Sequence, residues 1–223
     1  MTCGLARAFA AAGLDVGVAK PVQSGAAAND PEGDTMLLRA AAEVEDSPDE
    51  ICPFAFEAPL APLVAARLEG RALELDAVAA AVETLGTRHD VLLVEGAGGL
   101  LVPVGEHWTI ADLAARLALP LVIVARAGLG TVNHTLLTVE AARRRGLQVA
   151  GVVLNGRRSD SDRSVDTNPE LIESYGDVPV LAVVPWFEQN GEALAELVSE
   201  RLELGPLFAA LGREEVLRAG HGR

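Results

Sequence analysis

The sequence predicts an α/β fold in which a doubly wound, mostly parallel sheet carries helices on both faces. Four short apolar runs lack any alternation of apolar and polar residues, which is typical of parallel strands buried on both faces. These runs are residues 91–94, 121–124, 149–154 and 180–184. Helical patterns lie between them, and strands that alternate with helices indicate a parallel sheet whose ligand edge lies at the carboxyl ends of the strands.

The chain opens with a helix that leads directly into a strand. Residues 2–13 form an amphipathic pattern that ends at a glycine, and the apolar run Val16–Ala19 follows at once. A helix followed by a buried strand is the second half of a β-α-β unit. We therefore expect the first strand of that unit, and the glycine-rich turn after it, to be absent from this chain.

Further helices are predicted from apolar periodicity and from signals at helix ends. Thr109 and Asp112 have the spacing of a capping box. The three arginines of residues 143–145 precede Gly146, as cations near a helix C-terminus do. The polar stretch 157–166 is predicted to be a mobile surface loop. The predicted helices are residues 75–85, 110–117, 133–145 and 169–175.

Composition and charge restrict the partners of this protein. The chain has 223 residues and a net charge of −14, which suits one domain over residues 1–223 with a frayed tail at 212–223. An acidic surface repels nucleic acid and anionic membranes, so neither is an expected partner. The two cysteines, Cys3 and Cys52, form no disulfide or metal-binding pattern and are expected to be reduced thiols in the core. The N-terminus lacks the features of a signal peptide, and none of the apolar stretches is long enough to span a membrane. Both observations predict a cytoplasmic protein.

A lysine stands at the end of the first predicted strand, in the motif Lys-Pro-Val-Gln-Ser-Gly of residues 20–25. Proline ends the strand ladder, so Lys20 lies at the ligand edge of the predicted sheet. A lysine there is suited to neutralising phosphate or carbamate oxygens, and Ser24 and Gly25 offer a hydroxyl group and an open backbone. The alternative is a solvated lysine where the strand leaves the sheet.

Two acidic residues are candidate ligands of a metal ion. Glu95 begins the motif Glu-Gly-Ala-Gly-Gly directly after the run 91–94, and Asp34 opens a helix after Gly33. A carboxylate beside phosphates usually holds Mg²⁺, which prefers oxygen ligands. The alternatives are a tight turn with an exposed glutamate, and Asp34 as the N-cap of its helix.

A second glycine-rich turn, Gly-Leu-Gly-Thr-Val-Asn-His at residues 128–134, follows the run 121–124 and opens another helix. Free N–H groups at a helix start suit an anion such as a carboxylate. The alternative is a simple strand-to-helix turn that Thr131 or Asn133 caps. Asn155 ends the run 149–154, where its amide can pair with an adenine edge or serve as a turn asparagine.

Taken in order, these motifs resemble the dethiobiotin synthetase family. The resemblance runs from residue 2 to about residue 186 and ends at a Val-Pro-Trp segment. It implies a P-loop-type α/β domain and an ATP-dependent ligase of biotin biosynthesis. The implied substrates are 7,8-diaminononanoate, CO₂ and ATP, with Mg²⁺ as the metal ion. The implied active form is a homodimer with the substrate site at its interface.

The resemblance also implies a role for each motif. Lys20 would neutralise carbamate and phosphate oxygens, and Ser24 would contact the diamine end of the substrate. Asp34 and Glu95 would hold Mg²⁺, with Glu95 also beside ATP, and Gly98 would offer its backbone next to the reacting group. The substrate carboxylate would be received by Leu129, Gly130, Thr131, Val132 and Asn133. The remaining contacts of ATP would come from Asn155, Val184, Pro185 and Trp186.

The family pattern departs from this sequence at the start. Members begin with a strand and a phosphate loop of the Gly-x-x-x-x-x-Gly-Lys-Thr kind, whose last two residues would fall roughly three residues before Thr2. We therefore expect the first strand and phosphate loop to be missing and the chain to be an incomplete version of a longer protein.

Other functions remain open at this point. The main alternative is a truncated or inactive P-loop-family paralogue that acts as a binding module. A ParA- or MinD-like partitioning ATPase is disfavoured by the acidic balance and the polar tail. A cobyrinate-type amidating ligase is disfavoured because neither cysteine has the setting of a nucleophile.

Overall fold

The computed structural model describes residues 1–157, 162–187 and 192–213. These residues form two compact units: Thr2–Leu117 is the N-terminal unit, and Met1 with the described residues from Ala118 onward is the C-terminal unit. The α/β class with parallel strand pairs is confirmed in each unit. The expectation of one domain over residues 1–223 stays a prediction. Residues 214–223 of the expected frayed tail lie outside the described residues.

The N-terminal unit contains three pairs of strands. Its helices are α1 (Thr2–Ala11), α2 (Asp34–Ala42), α3 (Pro48–Ile51), α4 (Pro62–Leu68), α5 (Leu75–Gly86) and α6 (Ile110–Arg116). Its strands are β1 (Val16–Ala19), β2 (Val22–Ser24), β3 (Phe54–Phe56), β4 (Val91–Val94), β5 (Pro103–Gly105) and β6 (Trp108–Thr109). β1 pairs in parallel with β4 and β2 with β3, whereas β5 and β6 are antiparallel.

The register of β1 against β4 brings two strand ends to the same level. Ala19 is opposite Val94, so Lys20 and Glu95 are the next residues of the two strands. The N–H of Glu95 donates to the carbonyl oxygen of Ala19 at 2.8 Å, which continues the ladder by one residue. β1 is buried over its whole length, as its apolar run predicts. The parallel pairing therefore places the lysine and the glutamate together.

Several local predictions are confirmed in the N-terminal unit. The helices over 75–85 and 110–117 are present with bounds shifted by one residue. The capping box forms, because Oδ2 of Asp112 accepts from the N–H of Thr109 at 2.7 Å and from its hydroxyl at 2.6 Å. Behind this helix, Val104 and Trp108 belong to an apolar core, and the indole N–H of Trp108 donates to the carbonyl oxygen of Leu73.

The first half of β1 packs against the imidazole of His89. One ring nitrogen lies 3.1 Å from Oδ1 of Asp15, and the other lies 3.0 Å from Oδ2 of the buried Asp46. These two contacts hold the ring over Gly17, where an added Cβ would lie 2.2 Å from its Cδ2 atom. The glycine at position 17 is therefore required by the close approach of this ring.

The C-terminal unit is a three-stranded parallel sheet with helices. Its strands are β7 (Leu121–Arg126), β8 (Val149–Arg157) and β9 (Val180–Pro185), in the spatial order β7-β8-β9. Its helices are α7 (Thr131–Arg143), α8 (Asn168–Gly176), α9 (Glu192–Arg201) and α10 (Gly205–Ala210), with a short 3₁₀ helix at Arg163–Asp166. β8 supplies the buried centre of this unit, since residues 150–154 are all buried.

The structure corrects some of the expectations for this unit. β7 is only partly buried, with Val124 48% exposed, so burial on both faces is wrong for this strand. The strands continue past their apolar runs into polar residues, because parallel pairing extends to Asn155 and Arg157. The polar stretch 157–166 contains the end of β8 and the 3₁₀ helix, while residues 158–161 lie outside the described residues.

The expected cations lie at the C-terminal end of α7. Arg143 donates to the carbonyl oxygens of Gly176 and Asp177 at 2.7 and 2.6 Å. It therefore stabilises the exposed carbonyl end of the neighbouring helix α8, where the partial negative charge of the helix dipole lies. Among the described residues, none of the helices combines the length and the apolar character needed to cross a membrane.

We predict that Gly17→Ala destabilises the protein by about 1–3 kcal/mol, because the new methyl group overlaps a ring that two carboxylates hold in place. The midpoint of urea-induced unfolding measures this effect. Gly86→Ala is the matched control, since a Cβ there would make an ordinary contact of 3.5 Å with Leu92. Equal midpoints for the two variants would contradict the packing described for His89.

Candidate active site

Lys20 is buried directly after β1 and pairs with two carboxylates. Its Nζ atom lies 2.8 Å from Oε1 of Glu95 and 2.8 Å from Oδ2 of Asp34. The same atom lies 3.4 Å from the carbonyl oxygen of Gly96. The side chain of Lys20 is 8% exposed and that of Asp34 is 56% exposed. The alternative of a solvated lysine is therefore wrong, and the ion pair is open to solvent on the side of Asp34.

The two carboxylates keep Lys20 charged. Burial alone lowers the pKa of Lys20, because it disfavours the charged form. The charge of Glu95 and the hydrogen bonds to Asp34 and Glu95 outweigh burial, so the pKa of Lys20 is raised above its ordinary value. Lys20 is also the single lysine of the 223-residue chain. It can act as a fixed positive charge at neutral pH, but not as a base.

Gln23 and Thr35 hold the start of α2, the helix that carries Asp34. Its N-cap is Gly33, which offers no side-chain acceptor to the unpaired N–H groups of the first turn. Oε1 of Gln23, in β2, accepts from the N–H and the hydroxyl of Thr35 at 3.3 and 2.9 Å. Both side chains are buried. Asp34 is the first helical residue and pairs with the lysine, so its alternative role as the N-cap is wrong.

Glu95 uses both of its carboxylate oxygens. Oε1 accepts from Lys20, and Oε2 accepts from the hydroxyl of Thr2 at 2.5 Å. Thr2 is the first residue of α1, so the first helix also contributes to this cluster. The glutamate is therefore held in place from two sides, and the alternative of an exposed glutamate in a simple turn is wrong.

The turn after Glu95 needs a glycine at position 98. Gly98 has a φ of +83°, a conformation that residues with a side chain rarely adopt. A Cβ there would also lie 3.0 Å from Cγ2 of Val102. The contact of this turn with ATP stays a prediction.

Ser24 and the two cysteines lie in the same unit but contact other groups. The hydroxyl of Ser24 donates to the carbonyl oxygen of Leu60 at 2.8 Å, so its predicted contact with the diamine stays a prediction. Cys3 and Cys52 are free thiols, as expected, but only Cys52 is buried; Cys3 is partly exposed, so its expected place in the core is wrong. Burial raises the pKa of both thiols, which keeps them protonated and unreactive.

Asp34 and Glu95 form a donor set that fits Mg²⁺. Both carboxylates approach one point, the Nζ atom of Lys20, and Asp34 is exposed. Magnesium is usually bound by one or two carboxylates, with its other positions taken by water and by substrate phosphates. In the described part of the chain, no group of three or more His, Cys, Asp or Glu side chains is placed to hold a metal ion. Asp34 and Glu95 therefore suit a site in which the protein supplies two carboxylates and water or substrate phosphates supply the other ligands.

The predicted anion-binding turn lies in the C-terminal unit, between β7 and α7. The N-cap of α7 is Gly130, with a φ of +89° and no side chain to accept a hydrogen bond. The alternatives of Thr131 or Asn133 as caps are therefore wrong. The hydroxyl of Thr131 is buried beside that of Thr135, and Leu129 is 83% exposed.

The start of α7 has N–H groups without a partner among the described residues. Over residues 1–157, 162–187 and 192–213, no hydrogen-bond partner is present for the N–H groups of Gly130, Val132 and Asn133. The N–H of Thr131 donates to the carbonyl oxygen of Gly128 at 3.2 Å. Unpaired N–H groups at a helix start favour an anion. The binding of the substrate carboxylate here stays a prediction.

The predicted adenine contacts lie at the ends of β8 and β9. The side chain of Asn155 is exposed, and its Cα is opposite Val184. Val184 is fully buried, backbone included. Trp186 follows Pro185, is 53% exposed and lies beside Gly156, where a Cβ would be 3.5 Å from the indole. The contact of this segment with ATP stays a prediction.

The chain is similar to proteins of one enzyme family over most of its length. The family model described as an AAA domain matches residues 1–193. The ATP-dependent dethiobiotin synthetase of Anaeromyxobacter sp. (strain K) is 51% identical over 186 residues, which are 83% of each chain. The protein of the same name from Bacillus velezensis is 40% identical over 205 residues, which are 92% of this chain and 88% of the relative.

The chain belongs to the ATP-dependent dethiobiotin synthetase family. The resemblance drawn from the sequence motifs is thereby confirmed, and so is the expectation of an ATP-dependent ligase. Membership in the dethiobiotin synthetase family also disfavours the partitioning ATPases and the amidating ligases. The solved structure of the cell division ATPase MinD from Pyrococcus furiosus matches 90% of each chain with 17% identity and a TM-score of 0.49.

The sequence predicts that the first strand and the phosphate loop of the family are missing from this chain, and the comparisons do not bear out this prediction. The family model matches from residue 1, and neither this match nor the dethiobiotin synthetase relatives bear out a missing first strand and phosphate loop.

Sequence reasoning missed three side chains of the cluster around Lys20. Thr2, Gln23 and Thr35 each position a carboxylate, either directly or through the start of α2. The one available signal was the polar Gln23 inside the short strand β2, where a buried amide requires hydrogen-bond partners.

We predict that Thr35→Val lowers the free energy of unfolding by about 0.5–1.5 kcal/mol, because Gln23 loses a buried hydrogen bond while the volume of the side chain is kept. Urea-induced unfolding measures the change. Thr84→Val is the control, since its exposed hydroxyl only donates to a carbonyl oxygen of its own helix. Unfolding of both variants at the midpoint of the unmodified protein would contradict the stabilising hydrogen bond between Gln23 and Thr35.

Proposed function

We propose that this protein closes the ureido ring of dethiobiotin from 7,8-diaminononanoate and CO₂, using ATP. The relatives named above are ATP-dependent dethiobiotin synthetases, and the chain carries the motifs of that family in order. The observation that supports the proposal most is the buried Lys20 with its two carboxylates, because this cluster combines a fixed cation with a donor set that fits Mg²⁺.

The proposed reaction has three steps whose atoms balance. One amine of the substrate attacks CO₂ and loses a proton, which gives a carbamate. A carbamate oxygen attacks the γ-phosphorus of ATP, and ADP leaves. The second amine attacks the carbonyl carbon of the resulting carbamic-phosphoric anhydride, and phosphate leaves as the ring closes with loss of a proton.

Lys20 suits the negatively charged groups of this reaction. Its raised pKa keeps the proton on Nζ, so it stabilises charge on carbamate and phosphate oxygens rather than removing protons. Reactions of this kind depend on positioning and on charge neutralisation more than on covalent chemistry by the protein. The hydroxyl of Ser24 and the backbone of Gly98 are the proposed further contacts of the reacting groups.

Magnesium would be held by Asp34 and Glu95, and when bound it would neutralise charge on the phosphates of ATP. Both carboxylates pair with Lys20 in this structure, so Mg²⁺ would share them with a positively charged side chain. Asn155, Val184, Pro185 and Trp186 are the proposed contacts of adenine.

The substrate carboxylate is proposed to bind at residues 129–133. The N–H groups at the start of α7 that have no partner among the described residues support this assignment, since they favour an anion without requiring a basic side chain. As in the family pattern, this end of the substrate is proposed to reach the turn of a second copy in a homodimer. The cytoplasmic location predicted from the sequence also stays a prediction.

We predict that the purified protein forms dethiobiotin from 7,8-diaminononanoate, bicarbonate, Mg²⁺ and ATP, and that Lys20→Gln lowers kcat by about 100-fold or more, because a preorganised charge is lost. Mass spectrometry of dethiobiotin and release of ADP measure the reaction. Arg67→Gln is the matched control, since it removes an exposed cation that pairs with Glu106 in the same unit.

Each outcome of this assay bears on the proposal. Activity that EDTA abolishes and excess Mg²⁺ restores supports the proposed need for Mg²⁺. Binding of ATP and diamine without product contradicts the ligase proposal and favours the binding-module alternative. Equal activity of Lys20→Gln and Arg67→Gln contradicts the role of the lysine.

A further inference from the structure

The turn between β7 and α7 cannot fix its own geometry. Gly128 and Gly130 carry no side chains, and the side chain of Leu129 is exposed. Glycines populate many backbone conformations, so the direction of the amides between them is weakly determined by local sequence. Contacts from elsewhere in the chain must therefore orient the N–H groups that are proposed to bind the substrate carboxylate.

Asp162 holds this turn on its amide side. Its Oδ2 atom accepts from the N–H of Leu129 at 2.6 Å, a separation of 33 residues along the chain. Its Oδ1 atom accepts from the N–H and the hydroxyl of Ser164, at 2.9 and 2.5 Å. One carboxylate thus connects the start of the 3₁₀ helix to the turn. A Cβ at position 128 would lie 3.1 Å from Oδ2 of Asp162, so the close approach also needs a glycine there.

Asn168 holds the same turn on its carbonyl side. It is the first residue of α8 and is 96% buried, since its exposed fraction is 4%. Its Nδ2 atom donates to the carbonyl oxygen of Ala127 at 2.8 Å and lies 3.4 Å from that of Gly128. Nδ2 also lies 3.4 Å from the hydroxyl oxygen of Ser164, which ties the two holding residues together.

We propose that Asp162 and Asn168 are positioning residues that orient the amides at the start of α7 toward the carboxylate of the substrate. This inference rests on the proposed function, because it takes residues 129–133 as the carboxylate site. Asp162 occupies the N–H of Leu129, and the N–H groups of Gly130, Val132 and Asn133 have no partner within the described ranges and are the ones proposed for the ligand. The hydrogen bonds from Ser164 and Leu129 lower the pKa of Asp162, so it is ionised at neutral pH.

The charge of Asp162 and its hydrogen bond act in opposite directions on an anionic substrate. A second carboxylate near the helix start repels the substrate carboxylate, whereas the hydrogen bond to Leu129 orients the turn that binds it. Asp162→Asn removes the charge and keeps one acceptor oxygen for the N–H of Leu129, while its NH₂ group replaces the oxygen that accepts from Ser164. Asp162→Ala removes both. The two variants therefore separate orientation from repulsion.

The experiment compares these two variants with the unmodified protein and with Glu170→Gln, which removes an exposed negative charge from α8. For Asp162→Ala we expect the KM for 7,8-diaminononanoate to rise about tenfold, equivalent to about 1.4 kcal/mol. We expect kcat and the KM for ATP to stay within about twofold, because only binding of the carboxylate end changes. Asp162→Asn should raise the same KM by about threefold or less, since it keeps the acceptor oxygen.

Amide hydrogen exchange over residues 128–134 supplies a readout that needs no substrate. Exchange should become faster in Asp162→Ala and stay unchanged in Glu170→Gln. Unchanged exchange in Asp162→Ala, or a KM that falls in both Asp162 variants, overturns the positioning role. A protein that exchanges as expected but forms no dethiobiotin contradicts the proposed function and the substrate end of this inference, while the structural link between Asp162 and the turn stands.

Discussion

The ion pairs of Lys20 with Asp34 and Glu95 are the interaction on which the candidate active site depends. They join the ends of β1 and β4 to the start of α2, so three separate stretches of the N-terminal unit meet at one Nζ atom. Each partner is itself held: Glu95 by Thr2, and Asp34 through the contact of Gln23 with Thr35. A buried cation is stable only when it is paired and hydrogen-bonded, so the surrounding elements must keep both carboxylates in place.

In the C-terminal unit, the groups that suit a charged ligand are backbone N–H groups. Its glycine-rich turn offers N–H groups instead of a charged side chain, and Asp162 and Asn168 orient that turn from outside. Rigid external contacts allow a flexible sequence to present a defined set of donors. Preorganised donors of this kind need little rearrangement when a charged ligand arrives, which is the general condition for electrostatic stabilisation by a protein.

The parts of the fold and site that follow from strand ends could be predicted from the sequence. Lys20 and Glu95 each follow a continuous apolar run, and parallel pairing brings such ends together. The contacts of Gln23 and Asp162 could not be predicted, because they join residues that no helical or strand period relates. The stretch 157–166 was expected to be a mobile loop because it is polar, yet polar atoms of Asp162 bind the backbone of another turn. The partial burial of β7 could not be predicted either, because an apolar run does not indicate which face of the strand packs against other elements.

The most direct test of this account is the titration of Lys20 in the intact protein. Because the chain has one lysine, biosynthetic labelling with lysine enriched in ¹³C at the ε carbon gives a single side-chain signal that NMR follows as the pH is raised. The account predicts a pKa above the ordinary value of 10.5, and a lower pKa in the double variant Asp34→Asn, Glu95→Gln. A raised pKa means that these ion pairs stabilise the folded protein fully below the ordinary pKa and that this contribution is lost as the pH rises through the raised value. A signal that titrates at or below 10.5 in the unmodified protein, or at the same pH in both proteins, would contradict the central ion-pair cluster.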